Sequence, residues 1–332
     1  MFSENFTVTF NMATNESGRI EELPQSCQGC YLSYGDFVGT YFNDSQGLLK
    51  LLMSHGLLPE KKLCEKCGKE CRLDIKRKSF RCDKTYTVPK KGKKKCSFLQ
   101  SIYKGTWLQN SRVDFETNTR FVNLFVQDYF SYKVAKDELG LDDKTICDWA
   151  SFAREVLVAW SIRQEEKIGG TGEIVEIDES KFGKRKYNVG RVIEGQWVFG
   201  GICRNTRSCF VVPVQNRNRD TLLTIIKDRV LPGTTIISDC WKAYDCLESE
   251  GFKHLTVNHS YNFVDPDTGA HTNTIERQWR EIKRKVPVFG RKKAHYVGYL
   301  ATALFKMKHA DVKRRLHVFI KEAAKLYPPP SP

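Results

Sequence analysis

No stretch of this 332-residue chain approaches the roughly 20 consecutive apolar residues that cross a membrane. Its opening, MFSENFTVTF, lacks the basic start and apolar core of a secretory leader. The expectation is an intracellular protein with no membrane association, nuclear in a eukaryote. Asn5-Phe-Thr and Asn15-Glu-Ser match the glycosylation pattern but mean little without a secretory route. The twelve cysteines then read as thiols or metal ligands before they read as disulfides. No internal repeat is visible. Acid is also short, with 39 Asp plus Glu against 54 Lys plus Arg, a net charge of +15 and a sequence pI near 9.2. That excess favours a polyanionic partner, of which nucleic acid is the commonest. Hydrophobic residues reach 40%, which excludes a disordered tail, and the length allows two or three domains.

The charge is unevenly spread. Residues 1–60 hold Arg19 and Lys50 against Glu4, Glu16, Glu21, Glu22, Asp36, Asp44 and Glu60, a net of −5. Residues 61–96 hold 15 Lys or Arg against Glu65, Glu70, Asp74 and Asp83, a net of +11. A second basic run follows residue 276, from Arg277 and Arg280 to Lys293, opposed by Glu281 alone. Two separated basic patches point to two contact zones on a long polyanion.

Hydrophobic spacing divides the chain further. The first 25 residues are polar and unpatterned, expected to be poorly ordered. SQGLLKLLMSHGLL (45–58) has the spacing of a short amphipathic helix, and residues 61–96 that of a short β-rich module bearing cysteines. Residues 112–163 are helical in pattern. Within them KVAKDELGLDDKTICDWASFAREVL (133–157) reads helix, Gly140-containing turn, helix, with Asp142 or Asp143 capping the second helix. That is the layout of a helix-turn-helix, or of two ordinary packed helices. From residue 171 strands are expected at 173–178, 196–203, 208–214, 234–239 and 254–258. Helices are expected at 219–231, 241–251 and 273–286, and a basic helical segment follows residue 290. Strands interleaved with helices in this way make a mixed sheet with flanking helices, an α/β fold.

Three acids stand out in that frame. Asp178 and Asp239 are each placed where a strand meets a polar segment, and Glu276 falls in the first turn of the helix at 273–286. Each alone reads as a cap, a turn residue or a first-turn acid favoured by the helix dipole. Glu179 is an alternative to Asp178. Converging over one sheet edge, hard oxygen ligands of this kind suit Mg²⁺ or Mn²⁺. A pair of such ions clamps the attacking and leaving oxygens of phosphoryl transfer.

The stretches VEIDESKFGKRK, ISDCWKAYD and HTNTIERQWREIKR resemble the three catalytic blocks of Merlin-type transposases, which carry an ISXO2-like transposase domain. With their bacterial insertion-sequence relatives these belong to the DDE group with an RNase H-like fold. The resemblance covers roughly residues 60–310, and the third block is the most specific. It implies that Asp178, Asp239 and Glu276 are the catalytic, Mg²⁺-binding triad, with two ions. It also implies cut-and-paste chemistry: cleavage at terminal inverted repeats, then in-line attack by the freed 3′-hydroxyl on target DNA. The spacings of 61 and 37 positions agree with it. His271 and Asn273 match the third block and would shape the site, contact DNA or, for Asn273, cap the helix. DNA contacts are assigned to Lys242, Asn273, Arg280, Lys283 and Arg284. Trp241 would reach DNA or brace a helix.

Cys64-x-x-Cys67 with Cys82 and Cys96 has the pairing of a zinc ribbon, although the second pair is fourteen positions apart and Cys71 can replace one member. Merlin-like proteins often carry a cysteine-rich segment here, which supports a structural Zn²⁺, and the 15 basic residues of the span point to DNA binding by the module. Cys27-x-x-Cys30 lacks a matching pair nearby and is the weaker candidate. Cys147, Cys203, Cys209, Cys240 and Cys246 sit in apolar patterns and read as core thiols.

The resulting expectation has five segments: a partly disordered N-terminal region (1–60), a zinc-ribbon-like module (61–100), a helical, helix-turn-helix-like region (101–168), an RNase H-like catalytic domain (169–312) and a basic C-terminal end (313–332). The function expected is a DDE transposase acting on double-stranded DNA, a homodimer by analogy. Its rivals are a domesticated DNA-binding derivative and a stand-alone nuclease.

Overall fold

In the computed structural model, the residues described are 8–10, 25–88, 92–164, 166–183, 195–239, 242–257, 264–266, 269–287 and 292–330. The poorly ordered stretch expected before residue 25 lies largely outside them, as do Cys240 and Trp241. Residues 1–20 and 157–308 group into one compact unit, and residues 21–156 with 309–332 into another. Among the described residues no helix is long and apolar enough to cross a membrane.

Strand β1 (Val8–Phe10) belongs to the unit containing residues 157–308. The other unit begins with a 3-10 turn at Gln25–Cys30, then α1 (Tyr34–Tyr41) and α2 (Ser45–Ser54). Strands β2 (Arg72–Asp74), β3 (Ser79–Cys82), β4 (Thr85–Val88), β5 (Gly92–Lys95) and β6 (Phe98–Ser101) follow. β2, β3 and β6 form one small sheet, β4 and β5 a hairpin whose Lys93, Lys94 and Lys95 are all exposed. Helices α3 (Phe115–Val126), α4 (Tyr132–Leu139) and α5 (Asp143–Ile162) come next. Each starts where the sequence offers a capping oxygen: Asp114 accepts from Thr117 N, Ser131 from Val134 N, and Asp142, of the two candidates, from Thr145 N. Gly140 ends α4 in the left-handed region at φ 65°, which glycine adopts without the Cβ penalty. Cys147 is exposed on α5, one position round from the fully buried Ile146, and is not the core thiol expected; Cys203, Cys209 and Cys246 are buried.

The second unit is built on a six-stranded sheet. Strand β7 (Ile168–Gly169) leads into β8 (Ile174–Phe182), β9 (Gln196–Cys203) and β10 (Cys209–Val214), then α6 (Arg219–Arg229). After β11 (Val230–Leu231), which pairs with β7, come β12 (Thr235–Asp239) and β13 (Lys253–Val257). The sheet order is β1-β10-β9-β8-β12-β13, antiparallel through β8 and parallel from β8 to β13. Helix α7 (Asn273–Lys285) and α8 (Tyr296–Lys308) complete it. One face of the sheet packs Val175, Ile177, Phe199 and Phe210 against Leu222 and Ile226 of α6, together with Tyr244 and Leu247, all buried. The chain then returns to the other unit as α9 (Val312–Leu326), where Phe319 lies edge-on to Trp107 at 5.5 Å.

Two expected elements differ. β8 runs on past Asp178 to Phe182, because β9 pairs with it continuously from Val175 to Phe182. The helix expected at 241–251 is absent among the described residues of that stretch, which form 3-10 turns at Lys242–Tyr244 and Glu248–Glu250. Tyr244 is buried with its hydroxyl bonded to Glu179, and Leu247 N and Glu250 N close i→i+3 bonds, so tertiary anchoring overrides the helical pattern.

Gly200 on β9 pairs with Asp178, and a Cβ there would lie 2.7 Å from Trp279 Cη2 and 3.0 Å from Phe210 O. Its absence lets α7 approach the sheet. Gly200→Ala is therefore expected to destabilise the full chain by about 1–3 kcal/mol through overpacking, read as a lower urea midpoint; an unchanged midpoint would contradict this packing.

Candidate functional site

The parallel register pairs Thr235 with Ile174, Ile236 with Val175 and Ile237 with Glu176. Continued by two residues on each strand, that register sets Asp239 level with Asp178, just beyond the last pair of the β8–β12 ladder. In-register residues of parallel strands share a face, so both aspartates belong to the face that carries α7. Trp279 Nε1 of that helix donates to Asp178 Oδ2 at 2.9 Å. Burial pushes the Asp178 carboxyl up to about 6; the Trp279 and backbone hydrogen bonds oppose this, while the charges of Asp239 and Glu276 add to it. Asp239 and Glu276 therefore both act electrostatically on Asp178. Asp178 and Asp239 are half-buried and Glu276 exposed. They are not among the described sets of side chains whose ligand atoms all converge within 4.8 Å.

What seats α7 is a residue to which the sequence reading assigned no role. Glu176 on β8 is fully buried, and its Oε2 accepts from both Thr274 N and Ile275 N at 2.9 Å. Its Oε1 accepts from Arg204 Nε at 2.6 Å. Arg204 Nη2 in turn donates to His271 O at 2.7 Å and lies 3.0 Å from His271 Nδ1. A strand carboxylate thus does the work of an N-cap from outside the helix. Asn273 is the first helical residue and exposed; the cap position belongs to Thr272, whose side chain makes no capping bond. Glu176 could have been suspected from the acid at alternate spacing in VEID, but nothing local distinguishes it from a solvent-facing strand residue. The apolar face predicted for α7 is present, with Ile275, Trp279 and Ile282 buried.

Glu179 faces the other way. Tyr244 donates its hydroxyl to Glu179 Oε1, and Arg217 Nη1 lies 3.6 Å from Oε2, its guanidinium 3.7 Å over the Trp197 ring. Burial, then the charges of Asp178 and Asp239, push this carboxyl up to about 8 against the pull of Arg217. Both its oxygens are engaged away from α7, which leaves Asp178 the better placed of the two.

Arg277, Arg280, Lys283 and Arg284 are exposed along α7 and, with Glu281, line one shallow depression. Lys283 Nζ also sits 5.4 Å over the Phe182 ring. Lys242 is exposed at the start of its 3-10 turn.

In the other unit Cys64, Cys67, Cys82 and Cys96 come together, with all ligand atoms within 4.8 Å; Cys64 Sγ is 3.4 Å from Cys96 Sγ, and Cys67 Sγ is 3.5 Å from Cys82 Sγ. The edges of a tetrahedron with bonds of about 2.3 Å are about 3.8 Å, so four thiols here fit a zinc ion. Lys66 N donates to Cys64 Sγ and Gly68 turns at φ 67°, which shapes the knuckle. Burial raises the Cys64 thiol, yet hydrogen bonds from Lys66 N–H and the Cys96 thiol bring it down to about 7. Cys71 is outside the set, and burial pushes it up to about 11.

Residues 169–308 match the family model of the ISXO2-like transposase domain. An uncharacterized transposase-like protein of Haemophilus influenzae is 29% identical over 110 residues, covering 33% of this chain and 88% of that protein. These two findings bear out the resemblance read from the three sequence blocks. Among solved structures, a chain of the simian T-cell lymphotropic virus intasome in complex with PP2A regulatory subunit B56 gamma matches 53% of this chain and 68% of its own length at 13% identity. Its TM-score is 0.29, too low to carry an argument.

The Glu176 network makes a test of its own. Glu176→Ala leaves Arg204 without its buried partner and the first turn of α7 without its acceptor. The expected loss is about 3–5 kcal/mol in urea unfolding of the full chain; a loss below about 1 kcal/mol would mean that the network does not seat the helix.

Proposed function

We propose that this protein is a DDE-type DNA transposase in which Asp178, Asp239 and Glu276 form the catalytic triad within an RNase H-like domain. The observation that carries the reading is the level placement of Asp178 and Asp239 at the end of the β8–β12 ladder, within the electrostatic reach of Glu276. Antiparallel β8, β9 and β10, continued from β8 by the parallel strands β12 and β13, with β1 added at the edge beside β10 and an aspartate on β8 and on β12, support the RNase H-like assignment. The match to a transposase domain over the same residues supports the reaction class.

The donor set fits hard divalent cations: carboxylate oxygens at a half-exposed sheet edge, where burial, with repulsion from Asp239 and Glu276 added, raises Asp178. Mg²⁺ or Mn²⁺ held by Asp178, Asp239 and Glu276 would neutralise charge on the scissile phosphate and favour ionisation of the attacking hydroxyl. The chain's own contributions are positional. Trp279 donates to one oxygen of Asp178 and so orients that carboxyl, while the Glu176–Arg204 pair fixes the helix that presents Glu276. The exposed cations of α7 continue from Glu276 along the helix, so a phosphate backbone lying on them would bring a phosphodiester to the carboxylates. Lys242 and Asn273 lie on segments bordering the triad and complete the proposed DNA contacts. The four-cysteine site, holding structural Zn²⁺, and the lysine hairpin would give a second contact zone, used on the terminal inverted repeats. Joining two element ends calls for two copies of the chain.

Asp239→Asn is expected to cut divalent-cation-dependent DNA cleavage by on the order of 10²-fold or more while DNA binding survives. Cleavage at the wild-type rate would remove Asp239 from the triad. Arg280→Ala with Arg284→Ala is expected to weaken binding alike on all sequences. It should also flatten the slope of log K against log salt by about 0.9 per lost phosphate contact; an unchanged slope places the DNA elsewhere.

A further inference from the structure

The pair Cys27-x-x-Cys30 has no matching cysteines nearby in sequence, and the fold supplies histidines in their place. Cys30 Sγ lies 3.3 Å from His55 Nε2 and 3.1 Å from His317 Nδ1, and the two ring nitrogens are 3.0 Å apart. The Sγ of Cys27 and the two rings lie mutually within 4.8 Å; Cys30 is not of that set, and its thiol also donates to Cys27 O at 3.3 Å, so an ion bound by all four would draw the Cys30 sulfur off that carbonyl. Cys27, Cys30 and His55 are buried and His317 partly so. All four residues belong to the unit of residues 21–156 and 309–332.

The protons determine what this cluster can be. His55 Nδ1 faces the carbonyl oxygen of Leu51 at 2.7 Å, and a carbonyl oxygen only accepts. The Nδ1 atom therefore carries the proton, and Nε2 points a bare lone pair at His317 and Cys30. A second group holding a histidine by its outer nitrogen is the usual support of a metal-binding imidazole. Separations of 3.0–3.3 Å are close to the edges of a tetrahedron built on bonds of about 2.0–2.3 Å. Gly29 inside the Cys-x-x-Cys turn is held against Tyr41, whose hydroxyl donates to Gly29 O at 2.9 Å; a Cβ at Gly29 would come 2.6 Å from that hydroxyl oxygen. The turn is thus shaped with no room for a side chain at that position.

We propose that Cys27, Cys30, His55 and His317 form a second zinc site, independent of the four-cysteine one. Two sulfurs and two imidazole nitrogens in a small buried volume suit Zn²⁺ in tetrahedral geometry. Its role is structural. His55 follows α2 and His317 lies on α9, 262 residues later, so the ion clips the C-terminal helix onto the N-terminal segment of a unit whose chain is interrupted by residues 157–308. Closing so long a loop in the native state stabilises the unit by holding together segments that would otherwise separate on unfolding.

The test measures metal in the full chain, expressed with zinc and freed of loosely held ions. Wild type is expected to hold two zinc ions, one in each cluster. Cys30→Ser with His317→Gln should hold one, and so should Cys67→Ser with Cys82→Ser. A Cys30/His317 variant holding as much zinc as wild type overturns the proposal and leaves a hydrogen-bonded cluster. A variant can also lose metal by unfolding, so wild type reconstituted with Co²⁺ gives an independent reading. Two equivalents, one with the ligand-field absorption of a mixed sulfur–nitrogen site, support the second site. One equivalent with all-thiolate absorption overturns it.

Discussion

The candidate active site depends on one buried carboxylate that takes no part in the proposed chemistry. Glu176 lies two residues before Asp178 on the same face of β8, and its two oxygens are spent on Arg204 and on the first backbone N–H groups of α7. A buried ion pair of this kind is expensive to desolvate and contributes little net stability compared with apolar packing. What it supplies is position. The helix that carries Glu276 is fixed to the strand that carries Asp178 at its N-terminus by Glu176 and one turn later by Trp279. Gly200 clears the space for the indole, since a Cβ there would lie 2.7 Å from Trp279 Cη2.

The sheet separates two kinds of carboxylate that adjacent sequence positions would confuse. Asp178 and Glu179 are neighbours, yet strand alternation sends them to opposite faces. One meets the indole of Trp279 and the field of two further acids; the other is held between a tyrosine hydroxyl and a guanidinium stacked on an indole. Both are pushed up by burial, but only Asp178 stands on the face that carries α7. Pairing and face, not acidity, therefore select the candidate ligand.

The other unit uses sulfur where the sheet unit uses oxygen. Clusters of thiols and imidazoles gather there where chain segments distant in sequence meet. The four-cysteine set joins a knuckle to two strand ends within 32 residues. The cysteine–histidine set spans almost the whole chain, and it accounts for a Cys-x-x-Cys pair that sequence spacing left without partners.

Local pattern was enough to place most strands and helices after residue 171, because alternation and 3.6-residue spacing survive in elements with one buried face. It was enough, too, for the Asp142 cap, the apolar stripe of α7 and the three blocks that mark a transposase domain, since each of these is a matter of residue type at short separation. It misplaced the end of β8 and the helix at 241–251, where pairing with β9 and the burial of Tyr244 decide the backbone. It placed Cys147 in the core, though Cys147 lies one helical step away from the buried side. The roles of Glu176 and Gly200, the direction of Glu179 and the meeting of Cys30 with His55 and His317 came from the tertiary structure alone. Each depends on which atoms the fold brings within 3–4 Å across tens to hundreds of residues, and no local spacing encodes that.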